Sequence, residues 1–126
     1  MLRGQDSQET NTIKTLTYRQ KDIFDKLKAI LDIGGAHARL ALDLKAIDQR
    51  GEGYLNERML AIALSRTYKD VSQKSSRRVP PNLTDNEIRE IYKPLTKNRT
   101  SFGSYKDLLV HALGQAEGER LFNMDK

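Results

Sequence analysis

Few residues in this chain have side chains that could do chemistry. Two histidines, no cysteine and 17 carboxylates are spread over 126 residues. None falls into the spacing that hydrolysis, hydride transfer or nucleotide binding would need: there is no HExxH, GxSxG, GxGxxG or P-loop. Asp43 with Asp48, or Glu57 with Glu87, could be read as an acid–base pair. With 31% of residues charged, such pairs arise freely. His111 precedes Ala112 on an otherwise apolar face, where a hydrogen-bonded edge histidine is the usual explanation; His37 follows a glycine pair and is expected to be exposed. The one concentration of oxygen donors is a polar stretch with two glycines, in which Asp48, Glu52 and Asn56 stand close together. Calcium takes six to eight oxygen ligands. Arg50 offers none and adds a positive charge, and Met59 at the far end offers none either. No catalytic residue and no cofactor is expected.

The elements that hold this stretch are helices. Leu40, Leu44 and Ile47 recur at helical spacing and stop at Asp48; Leu60, Ala63 and Leu64 resume that spacing and predict a helix to about Tyr68. Upstream, Ile23, Phe24, Leu27, Ile30 and Leu31 form the stripe of a helix from about Thr17 to Ile33, which Gly34-Gly35 breaks. Downstream, Thr84 and Glu87 have the spacing of a capping box. Ile88, Ile91, Tyr92 and Leu95 follow as a stripe, and Pro94 stands near the helix end. After a polar loop, Ser104 and Asp107 repeat the capping pattern. Tyr105, Leu108, Leu109, Ala112 and Leu113 form the last stripe, and Gly114 fits a C-cap.

Helix, twelve-residue loop and helix from Ala36 to about Tyr68 resemble an EF-hand. The family's loop takes ligands from positions 1, 3, 5, 7, 9 and 12 and turns at a Gly in position 6. Asp48 matches position 1, Glu52 position 5, Gly53 position 6, apolar Leu55 position 8 and Asn56 position 9. Arg50 stands at position 3 and Met59 at position 12, where the bidentate Glu would be, so no bound metal is expected. The unit after residue 84 is a weaker match. With Thr96 at position 1, Asn98, Thr100 and Asp107 fall at 3, 5 and 12 and Gly103 at 8; with Phe102 at position 8, Leu95 falls at 1. Lys97 and Arg99 put two positive charges in this loop. The loop is expected to be one residue short, with Phe102 meeting Leu55 as the core of a two-strand pairing.

The resemblance implies an all-α fold: a calmodulin-like pair of helix-loop-helix units in the EF-hand superfamily, preceded by an extra N-terminal helix. The domain plan is a polar arm over residues 1–16 and one helical domain over 17–114. Within it lie a first unit at about 36–68, a basic linker over 69–83 with Pro80-Pro81, and a second unit at about 84–114. A C-terminal tail takes residues 115–126. The absence of cysteine suits a reducing, cytoplasmic setting, and no apolar run is long enough to insert in a membrane.

The net charge of +5 favours an acidic partner. Lys74, Arg77 and Arg78 are its expected contacts. The reading with most support is a non-enzymatic adaptor or structural subunit that binds a protein with an acidic surface or an amphipathic helix. The family resemblance adds the cytoskeleton or the cilium as settings. A basic module binding nucleic acid is the alternative, and a weak calcium sensor is the third. The helix from Thr17 to Ile33 could fill the groove between the other helices or leave it to another protein; the length and charge of the linker favour an outside contact.

Overall fold

The computed structural model describes residues 16–75, 78–96 and 102–124. The first helix, α1 (Tyr18–Leu31), opens on a capping box. Thr17 Oγ1 accepts the Gln20 N–H and Gln20 Oε1 accepts the Thr17 N–H, each at 3.0 Å. Its stripe of Ile23, Phe24, Leu27, Ile30 and Leu31 is buried as the spacing predicts. The second helix, α2 (Ala36–Ile47), ends at Asp48, and a loop leads through strand β1 (Tyr54–Leu55) to α3 (Glu57–Lys74). Asp43 ties α2 to α3: its buried carboxylate accepts the Thr67 hydroxyl at 2.7 Å and the Arg39 Nε–H at 3.1 Å.

The α3 helix runs a turn and a half past the expected end near Tyr68. Thr67 and Val71 continue its buried face, and neither Gly nor Pro intervenes before Pro80. Residues 69–74 are therefore helix, and the connector is shorter than the sequence suggests. It is also anchored. The Tyr68 hydroxyl donates to the Pro80 carbonyl at 2.7 Å, and Leu83 is buried.

The capping box at Thr84 and Glu87 opens α4 (Asp85–Tyr92), with bonds of 3.2 and 2.9 Å. A 3-10 turn (Lys93–Leu95) follows and buries Pro94. Strand β2 (Gly103–Ser104) leads into α5 (Tyr105–Leu113), whose N-cap is Ser104. β1 and β2 pair antiparallel, Tyr54 opposite Ser104 and Leu55 opposite Gly103. Apart from this ribbon, the described fold is all-α.

Within the expected tail of residues 115–126, residues 115–123 are not outside the domain. Gly114 turns the chain directly into a sixth helix, α6 (Gln115–Asn123), which packs on α5 and α2 and buries Leu121 completely. The α5–α6 crossing is close. A Cβ on Gly118 would lie 2.6 Å from the Val110 backbone nitrogen, so only glycine lets α6 approach. Glu117, Glu119 and Arg120 give the segment a polar outer face, which is why it reads as solvated when only the sequence is considered.

Candidate functional site at the paired loops

The first loop closes on its own Asp48. This residue is 6% exposed, and its carboxylate accepts three hydrogen bonds. Oδ1 takes the Glu52 N–H at 3.2 Å; Oδ2 takes the Gly53 N–H at 2.8 Å and the Tyr105 hydroxyl at 2.9 Å. Burial, and then the neighbouring Asp48 carboxylate, push the Tyr105 hydroxyl well above its ordinary pKa, so it remains a donor. The Tyr105 N–H also donates to the Gly53 carbonyl at 3.2 Å, which binds the start of α5 to the first loop.

The other loop positions present no converging oxygens. Asn56 spends its side-chain oxygen on the N-terminus of α3, accepting the Met59 N–H at 2.8 Å. Met59 is half-buried and packs against the hydrophobic core. Arg50 and Glu52 are exposed. Among the described residues, no group of three or more His, Asp or Glu side chains is arranged to hold a metal ion. Lys97 and Arg99 lie outside the described residues.

From the C-terminal helix, Phe122 covers the loop. Its ring lies 5.3 Å from that of Tyr105, and its Cζ would be 3.2 Å from a Cβ on Gly53. Gly53 also has φ of 87°, where a side chain is strained. Tyr105 and Phe122 are the residues that sequence reasoning missed here. A Tyr at the start of a helix reads as one more apolar stripe position, and nothing in the pattern pairs it with an Asp 57 residues earlier.

Leu55 and Phe102 do not form the pairing core. Leu55 is 1% exposed, but Phe102 is 52% exposed, and Gly103 stands opposite Leu55. The reason is steric. A Cβ at Gly103 would lie 2.8 Å from Tyr92 Cε1 and 3.0 Å from Leu95 Cβ, so a phenylalanine has no room in that place. The Tyr92 hydroxyl closes the same corner by donating to the Leu55 carbonyl at 3.0 Å. The expected one-residue deficit disappears with this register. Asp48 precedes Leu55 by seven residues, as Thr96 precedes Gly103, and α3 and α5 each start two residues later.

Two of the expected basic contacts, Lys74 and Arg78, fall on different elements. Lys74 belongs to α3, where it pairs with Asp70 at 3.2 Å, and Arg78 is exposed on the connector. Arg77 lies outside the described residues.

The first helix packs within the fold. The apolar face of α1 is buried against α2, α4 and α5. Gln20 Nε2 donates to the Glu90 carbonyl at 3.3 Å, Lys26 pairs with Glu87 at 2.6 Å, and the Phe24 ring lies 5.2 Å from that of His111. His111 is half-buried beside Phe24. His37 is only partly exposed, its ring nitrogens facing Glu117 and Asp32 at 3.2 Å each. None of the described helices is long and apolar enough to cross a membrane. Compared with family models, curated proteins and solved structures, the chain has no significant match.

Proposed function

We propose that the chain is a non-enzymatic protein-binding adaptor or structural subunit, built on an EF-hand-like pair that needs no calcium. One observation carries this reading: the buried Asp48 carboxylate accepts hydrogen bonds from two loop N–H groups and the Tyr105 hydroxyl. In a calcium loop that carboxylate faces the ion, and the ion draws the loop together. Here the protein's own donors, with Phe122 above them, draw it together. Arg50 at position 3 and Met59 at position 12 remove the remaining incentive for a cation. A loop that is closed permanently suits a fixed scaffold better than a switch.

The positive balance of the chain makes acidic surfaces the natural partners, and the cytoskeletal or ciliary setting is the one the resemblance suggests. Calorimetry with millimolar calcium is expected to show no heat beyond dilution, and the thermal midpoint is expected to be the same in calcium and in chelator. A saturable site tighter than about 10⁻⁵ M, the range of sensors, would overturn the reading.

A further inference from the structure

With α1 seated against α4 and α5, a partner must use an outer surface, and the outer face of α3 differs from the rest. At about 100° per residue, Arg58, Ile62, Arg66 and Lys69 fall within an arc of about 80°. This arc lies opposite the buried stripe of Leu60, Leu64, Thr67 and Val71. All four of its residues are exposed, Ile62 at 38%. Among the described residues, none of Arg58, Arg66 and Lys69 has an ion-pair partner. The only acids on α3, Glu57 and Asp70, lie off the arc and are engaged by Arg89 at 3.6 Å and Lys74 at 3.2 Å. By contrast, the exposed face of α1 intersperses Asp22 and Asp25 with Lys21, Lys26 and Lys28.

We infer that the outer face of α3 binds an acidic, amphipathic protein helix. This inference rests on the adaptor reading above and names the surface that it uses. Three cations without local counter-ions supply charge complementarity. Ile62, between Arg58 and Arg66, supplies an apolar centre with a charged rim, which is how protein interfaces are arranged. A nucleic-acid backbone would use the cations and gain nothing from covering Ile62. From Arg58 to Lys69 the face is about 16 Å long, or three helical turns. A facing helix with Glu at i, i+8 and i+11 and a Leu at i+4 repeats that spacing and matches that length.

The test is fluorescence anisotropy of the full chain with a labelled helical peptide that has one Glu-rich face and a central Leu. The double variant Arg58→Glu, Arg66→Glu is expected to weaken binding by about tenfold or more at low salt. Ile62→Ser is expected to weaken it by about threefold to tenfold. Arg19→Glu, on the exposed side of α1, is expected to change it little. Circular dichroism checks that each variant is folded. Absence of binding to the unmodified chain, or equal loss in Arg19→Glu and the double variant, would overturn the inference. So would indifference to Ile62→Ser together with duplex DNA displacing the peptide, which would make nucleic acid the occupant. Running the titration in calcium and in chelator separates the two proposals. Binding only in calcium would support the face and overturn the metal-free reading. No binding in either condition would overturn the face alone.

Discussion

Residue by residue, the loop pairing rests on an asymmetric pair, a leucine facing a glycine. Leu55 is sealed into the core, while Gly103 leaves room for Tyr92 and Leu95 to close over the ribbon. Phe102, one residue earlier, is turned outward. The two residues should therefore respond differently to truncation. Leu55→Ala is expected to destabilise the fold by about 2–4 kcal/mol, the usual cost of emptying a buried leucine site. Phe102→Ala is expected to stay within about 0.5 kcal/mol, as exposed positions do. Urea denaturation of both variants measures the contrast, and equal losses would contradict the register of the ribbon.

Among the elements, the two terminal helices are structural parts and not appendages. α6 reaches back to cover the first loop with Phe122, and α1 covers apolar surface on α4 and α5. Six residues of α1 are buried, so removing it would expose apolar area on its neighbours as well as forfeiting its own burial. A chain shortened to begin at Gly34 is expected to bind a hydrophobic dye strongly and to lose cooperative unfolding. A peptide of residues 16–33 added in trans is expected to suppress the dye signal. If the shortened chain unfolded as cooperatively as the full one without dye binding, α1 would be a passive addition.

At the scale of the whole molecule, the described histidine and carboxylates with displaced pKa values are all displaced downward. Burial beside Phe24 lowers the His111 pKa, and Asp107 offsets this only in part. The folded state therefore keeps His111 neutral while the unfolded chain takes up its proton below about pH 6.5. The stability from this residue is present above that pH and is lost as the pH falls. Glu87 is held below the usual carboxylate range by Lys26 and the Thr84 N–H, and Asp32 by Lys28 and His37. Glu117, partly exposed, is held at about 2 by Arg120 and then His37. Carboxylates with lowered pKa stabilise above their unfolded values and lose that contribution in acid. Both classes thus make acid destabilising. The urea midpoint is expected to fall from about pH 7 to about pH 5, through the His111 window, and further below about pH 4.5. His111→Gln is expected to flatten the first limb and leave the second. A midpoint that rose on acidification would reverse the argument.

What the sequence determined by itself were the local features. Periodic apolar residues mark α1, α2 and α5 within two residues of their ends and α4 at its start, because one buried face per helix leaves a 3.6-residue signature; the α4 stripe runs three residues on, to Leu95 in the 3-10 turn. Thr84, Ser104 and Gly114 announce helix ends because capping is settled by neighbours within four residues. That Arg50 and Met59 bring no oxygen donor to the loop is read from the residue types alone. Tertiary structure alone decided what depends on residues far apart in the chain. The strand register follows from the space left by Tyr92 and Leu95, the extra length of α3 from burial of Val71, and the place of α6 from the contact that Gly118 permits. The hydrogen bond from Tyr105 to Asp48 is of this kind too. A hydrogen bond across 57 residues leaves no periodic trace, and a carboxylate reads the same in sequence whether an ion or a tyrosine satisfies it.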